Sequence, residues 1–281
     1  MLPLFLLLLI VSVGSPAAVL LACRRYGAQR LLAPVVLISL CIAWLFDPSL
    51  GFAPFVGLIA GLQIERRKSY GQIIAAAAIP GVLQALLLLV GQEVLPREEV
   101  VDQLLGQFEG LEQYPAGEGN SLREHLLLLM RILPGAMFTF MLFTAVMAYR
   151  LSQVAAGYLQ VALPQALPFG MWRPWNQLIW VLIAGLALLL LGSGKVEDLA
   201  LNLMAVMAIL YAVQGLAVLR FYIRRLGIPG LVELLFYLIL VFTSSVALFL
   251  LAGLGLMDTW FDWRRLEPAA DQTPTEGDGR E

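Results

Sequence analysis

The chain has 281 residues, 60% of them hydrophobic and 14% charged, with a mean hydropathy of +0.84. A water-soluble domain of this length does not carry so little charge on so much hydrocarbon, so lipid is its solvent. A net charge of −2 and a pI near 5.6 leave no basic surface for nucleic acid, and Cys23 and Cys41 are too few for a disulfide framework or a metal site.

A spanning helix needs about 20 apolar residues, because the hydrocarbon layer is about 30 Å thick and each residue rises about 1.5 Å. Eight stretches reach or approach that length, near 2–22, 31–46, 50–64, 73–90, 126–148, 178–191, 199–219 and 231–256. The expected fold is therefore all-α, a polytopic transmembrane bundle of about eight spans. It forms a single integral membrane domain over 1–266, followed by a disordered tail at 267–281 rich in Pro, Gly, Asp and Glu.

No Lys or Arg precedes the first apolar run, as a signal peptide would require, and Arg24-Arg25 follow it. It reads as a retained helix, broken in the middle by Gly14-Ser15-Pro16. The second stretch ends at the turn signal Asp47-Pro48-Ser49. The third is short for a crossing, and a re-entrant loop is its alternative. Positive charge decides for the crossing. With it, Arg24, Arg25, Arg30, Arg66, Arg67, Lys68, Arg150, Arg173, Arg220, Arg224 and Arg225 share the cytoplasmic face, and both termini lie outside. Arg264-Arg265 then stand on the opposite face, and an internal C-terminus is the alternative that would move them.

Between the fourth and fifth spans runs the one long polar passage, 92–124. Val100, Val101, Leu104, Leu105, Phe108 and Leu111 recur at helical spacing within it, which predicts an external amphipathic helix with Glu98, Glu99, Asp102, Glu109 and Glu112 toward water. Residues 151–172 carry Leu151, Val154, Ala155, Tyr158, Leu159 and Ala162 on one stripe. They predict a cytoplasmic interfacial helix that leads through Pro164 and Pro168 to the sixth span, with Trp172, Trp175 and Trp180 at the membrane boundary.

Helices in lipid gain nothing from hydrophobic burial against one another, so close approach rests on small residues repeating every four positions. Gly14, Ala18 and Ala22 form such a stripe on the first span, Ala53, Gly57 and Gly61 on the third, and Ala77, Gly81 and Ala85 on the fourth. In the second half only Ala208 with Ala212 reads this way. The tighter core, or a docking face for another membrane subunit, is expected in the amino-terminal half.

An ionisable group near mid-bilayer costs at least about 2.5 kcal/mol and asks for a partner. Arg131 has two readings: a cation that snorkels to the outer interface, or a site cation with Glu197, Asp198 and Asn202 at similar depth. Glu233, in the first turns of the eighth span, is favoured there by the helix dipole and by Arg224 and Arg225 nearby. Asn202 and Gln214 either line a small-molecule cavity or join neighbouring helices, as do Gln84 and Thr243-Ser244-Ser245. Arg131, Asn202, Gln214 and Glu233 are the candidate ligand-binding residues. His125 is the only histidine, and no phosphate loop, GxSxG or intramembrane aspartate pair is present. No metal, cofactor or catalytic residue is expected, and an enzyme has no advocate in these residues.

The carboxyl end runs Gly253-Leu254-Gly255-Leu256-Met257-Asp258-Thr259-Trp260-Phe261-Asp262-Trp263-Arg264-Arg265. It resembles the terminal signature of the YybS-like family of bacterial membrane proteins, as do Leu167-Pro168-Phe169 with Trp172-Arg173-Pro174-Trp175 and the run from Pro16 to Gly27. The resemblance implies a multi-pass protein of the bacterial cytoplasmic (inner) membrane, and the family brings no activity or ligand with it. Its members are distantly similar to substrate-binding subunits of energy-coupling-factor vitamin transporters, which dock a transmembrane partner through small-residue helix faces. A small-molecule binding or transport subunit is the function this suggests, and a non-catalytic membrane scaffold or assembly factor is the alternative. Taken alone, the motif reads as an interfacial cap. Asp258 and Asp262 stand one turn apart, Trp260 and Trp263 sit at headgroup depth, and Arg264-Arg265 meet lipid phosphate or helix-end carbonyls.

Overall fold

A backbone surrounded by hydrocarbon must satisfy its own N–H and C=O groups, and helices do this within one segment. The computed structural model describes residues 10–45, 48–94, 97–106 and 118–266, and among these helix is the regular structure throughout. In chain order the helices are α1 (Ser15–Tyr26), α2 (Leu32–Leu45), α3 (Ala53–Glu65), α4 (Tyr70–Ala77), α5 (Ile79–Val94), α6 (Arg97–Gly106), α7 (Glu118–Leu159), α8 (Leu178–Leu191), α9 (Lys195–Arg225), α10 (Gly230–Phe242) and α11 (Ser244–Phe261). Among the described residues three stretches are long and apolar enough to cross a membrane: Tyr70–Gly91, Leu122–Leu159 and Lys195–Arg225. Gln29–Leu45, Leu50–Glu65, Leu178–Leu191, Gly230–Leu240 and Val246–Phe261 are apolar but shorter, so helix length does not by itself give the expected eight. The tail at 267–281, residues 1–9 of the first stretch, and Phe108, Glu109, Leu111 and Glu112 lie outside the described residues.

The chain divides into two compact units, one of Met1–Ala166 with Val181–Val206, the other of Leu167–Trp180 with Met207–Glu281. In the first, the Gly14-Ser15-Pro16 sequence does not break the helix. A π-turn at Ile10–Gly14 runs directly into α1, and Pro16, which lacks an N–H to bond back into that turn, follows at the point where the wider turn tightens to α. The packed face of α1 is Pro16, Ala17, Leu20 and Cys23; Ala18 is exposed, and Gly14 and Ala22 are half-buried. The Ala53, Gly57, Gly61 stripe of α3 lies against that face. A Cβ on Gly57 would stand 2.1 Å from the Pro16 carbonyl oxygen, and one on Gly61 2.5 Å from Cys23 Cβ. Small residues on one helix thus suffice, because the partner supplies the ridge that fills their groove.

The Ala77, Gly81, Ala85 stripe spans α4 and α5, with Ala77 buried and a Cβ on Gly81 2.9 Å from Met141 of α7. The break at Ala78 falls between Ala76 and Pro80, where proline has no N–H for the Ala76 carbonyl and its ring crowds that oxygen. α7 has 42 residues, about 63 Å of helix at 1.5 Å each. It absorbs 151–159, so the separate interfacial helix expected over 151–172 is instead the end of α7. No breaker stands at Leu151; the helix stops only at Gln160, with φ 53. Tyr149 and Gln153 then donate hydrogen bonds of 2.8 and 2.9 Å to the Pro164 carbonyl and fasten the extended chain that follows. Leu20, Val56, Ala60, Ile73, Met141, Ala145 and Tyr149 form the core of this unit. In α6, Val101 is fully buried, while Glu98, Glu99 and Asp102 are exposed.

The second unit corrects two expectations. Glu233, in the first turn of α10, lies 3.5 Å from Arg220 and 3.5 Å from Arg224, while Tyr222 donates to the Trp263 carbonyl at 3.0 Å. Both ends of 230–263 therefore meet the same end of α9, which a straight helix of that length, about 50 Å, could not do. The bend falls at Thr243 (φ −95, ψ 18), whose hydroxyl donates back to the Ile239 carbonyl at 2.8 Å. The stretch 231–256 is thus not one straight span, and Arg264-Arg265 stand beside Arg173 and Tyr222 rather than on the opposite face. The second correction concerns packing. A Cβ on Gly215 would lie 1.9 Å from the Leu251 carbonyl oxygen, and one on Gly255 2.0 Å from that of Tyr211. α9 and α11 cross backbone to backbone through these two glycines, as closely as α1 and α3 do in the other unit.

Candidate functional site

Arg131 sits one turn before Pro134 on α7, and its guanidinium binds Glu197 at 2.8 Å and Asp198 at 2.7 Å in the first turn of α9. Arg97, at the start of α6, reaches the other oxygen of Asp198 at 2.6 Å. Two cations and two carboxylates thereby balance, with Asp198 the least exposed at 14% and acidic groups placed where the α9 dipole favours them. The structure brings Arg131 to the partners the sequence suggested.

Asn202 completes the same corner. A regular helix would bond the Gly135 N–H to the Arg131 carbonyl. Here that N–H donates to Asn202 Oδ1 at 2.7 Å, and Asn202 Nδ2 donates to the Arg131 carbonyl at 2.7 Å and to the Asp198 carbonyl at 2.8 Å. The amide is inserted into the backbone ladder beside Pro134 and supplies both groups with a partner. Gly135 is needed for the approach, since a Cβ there would meet the Asn202 backbone oxygen at 2.8 Å. Asn202 is a helix clip with its amide fully committed.

Gln214 is likewise occupied at both ends: its Nε2 donates to Asp258 Oδ2 at 3.0 Å, and its Oε1 accepts from Thr259 Oγ1 at 3.3 Å. Asp258 is ion-paired with Arg264 at 2.7 Å, and neither side chain has any exposure. Arg264 also donates to the carbonyls of Gly170 at 2.7 Å and Trp172 at 3.0 Å. In return Arg173 donates to the Thr259 carbonyl at 2.8 Å and pairs with Asp262 at 3.3 Å. Each segment thus sends an arginine onto the other, and the terminal motif clasps 170–173. Asp262, at φ 41, turns the chain so that Arg264 can reach back. Trp260 is 63% exposed and takes no part in the clasp. Glu233 is 6% exposed and, besides Arg220 and Arg224, accepts from Tyr237 at 2.8 Å. Of the four candidate ligand-binding residues, Arg131 and Asn202 come together in the first unit, while Gln214 and Glu233 belong to the second, where each has its own set of partners.

Elsewhere in the first unit the described residues form an open cleft. A cleft of about 550 Å³ is lined by Arg24 from the end of α1, Ile64 and Glu65 from the end of α3, Arg67 and Lys68 from the turn after it, and Ala162, Leu163 and Pro164 from the extended chain after α7. Glu65 already accepts the Ala28 N–H at 2.8 Å. Among the described residues no ion pair joins Arg24, Arg67 or Lys68 to a carboxylate. Arg67 holds φ 53 at the position after the helix end where Lys68 N–H bonds back to the Gln63 carbonyl at 3.1 Å, a place glycine fills without strain. In the sequence these three residues serve only as topology markers; nothing in their spacing shows that three chain segments converge on one cleft. No cluster of His, Cys, Asp and Glu among the described residues is arranged to hold a metal ion.

Long apolar helices with exposed leucines, and polar groups tied to one another inside, define a helical membrane protein. Residues 1–259 match the family described as predicted membrane protein (DUF2232), and the chain belongs to that family. Asp258 falls within the matched region, whereas its partner Arg264 lies beyond it. No curated protein and no solved structure matches the chain.

Proposed function

We propose that this protein is a multi-pass component of the bacterial cytoplasmic membrane, as its YybS-like resemblance implies, and that it binds a small anionic molecule as a binding or transport subunit. The observation that carries the reading is the cleft itself, where three cations outnumber the one carboxylate, Glu65, beside an apolar wall. This reading puts the site at Arg24, Arg67 and Lys68 in preference to Arg131, Asn202, Gln214 and Glu233, whose polar atoms already bond within the protein. On the positive-inside pattern the cleft faces the cytoplasm. The test is thermal unfolding of the full chain in detergent against a panel of inorganic phosphate, pyrophosphate, citrate and anionic lipids. A ligand at one hundred times its Kd should stabilise by about 2.7 kcal/mol; a panel in which no anion moves the midpoint ends the proposal.

A second subunit also has a surface to use. The Gly14, Ala18, Ala22 face of α1 is turned away from α3, and small residues in lipid admit a close partner helix. Both the transporter-like reading and the alternative of a scaffold or assembly factor need such a face. Stable neighbours cross-linked through Ala18→Cys, together with no response to any anion, would favour the scaffold.

A further inference from the structure

Resting on that binding reading, we infer that the molecule held by the cleft is an acidic phospholipid, with its phosphodiester on Arg24, Arg67 and Lys68 and an acyl chain along Ile64, Ala162, Leu163 and Pro164. Half of the lining residues are apolar, which a small hydrophilic anion leaves unsatisfied and a lipid covers. The helix ends matter as well. α1 and α3 both finish beside the cleft, and the negative ends of their dipoles, with the Glu65 carboxylate, oppose a densely charged ligand more than a singly charged diester. Three cations against one carboxylate still leave the cleft attractive to an anion.

Arg67 stands in the turn that brings two of the cations to the cleft. Its backbone is in the left-handed region, which L residues with a Cβ occupy at a cost, and this turn would close more easily on glycine. Asp262 holds the same conformation, and its carboxylate is used, by Arg173 and by the Leu266 N–H. At Arg67 the same turn places the side chain on the lining of the cleft, next to Lys68.

The experiment reconstitutes the full chain in nanodiscs of phosphatidylcholine doped with phosphatidylglycerol and measures retained lipid by mass spectrometry after extraction, alongside thermal midpoints in detergent with each lipid, inorganic phosphate or pyrophosphate. Phosphatidylglycerol is expected to be retained and to raise the midpoint, with phosphatidylcholine doing neither. The Arg67→Gly/Lys68→Gln variant, whose turn is relieved rather than strained, should fold and lose retention on the order of twentyfold, about fivefold for each cation near an acidic surface. Arg225→Gln, exposed on the other unit, should retain lipid as the unmodified chain does. Equal losses in the two variants would overturn the inference, because they would show general attraction to a basic face. Stabilisation by phosphate or pyrophosphate without lipid retention would also overturn it, while leaving the anion-binding reading intact. No response to any of these probes would overturn both.

Discussion

Asp198 in the first unit lies between two guanidiniums and is 14% exposed, whereas Asp258 in the second has one, that of Arg264, and neither member of that pair is exposed at all. The difference changes what each network does. A partly solvated cluster with two cations and two carboxylates can lose a member and let water and the remaining charges compensate. A sealed pair cannot, since the survivor is left charged and dry. The first therefore ties α6, α7 and α9 together adjustably, and the second locks the chain end onto 170–173.

That contrast can be broken or sharpened by substitution. Asp258→Ala should be the most damaging, costing about 3–5 kcal/mol in unfolding titrations because Arg264 is stranded. Pairing it with Arg264→Met should return much of the loss, and no recovery in the double variant would show that Arg264 acts chiefly through the Gly170 and Trp172 carbonyls. Gly255→Ala should cost about 1–3 kcal/mol, since the new methyl meets the Tyr211 carbonyl and the α9–α11 crossing must open. Asn202→Leu belongs to the same range, about 1–3 kcal/mol, for the Gly135 N–H and Arg131 carbonyl it leaves bare; a smaller loss would mean that α7 re-forms its own ladder past Pro134. Asp198→Asn should cost about 1 kcal/mol and less in high salt. Arg67→Gly should run the other way, with a gain of at most about 1 kcal/mol, the relieved left-handed strain less the entropy of the new glycine.

Much of the packing was readable from spacing. Gly57 and Gly61 on α3, and Ala77 with Gly81 across α4 and α5, stand where small residues every four positions place them. Gly215 and Gly255 were just as visible as residues, yet Gly215 has no small residue four positions away and Gly255 has only Thr259. Each works alone, opposite a carbonyl of the other, and only the crossing reveals the pair. Arg131 could be matched to Glu197 and Asp198 by depth, because helix rise converts sequence position to height. Arg97 could not, since it follows from how the polar passage folds back.

Composition determined that this chain lives in lipid and is helical, because hydrocarbon on such a scale has no other solvent and a backbone in hydrocarbon has no better bonding scheme. Tertiary structure decided where the chain bends and which polar groups remain uncommitted. The bend at Thr243 and the meeting of Arg24, Arg67 and Lys68 both depend on contacts between segments far apart in the chain, and periodicity, which reports only one segment at a time, carries no information about them.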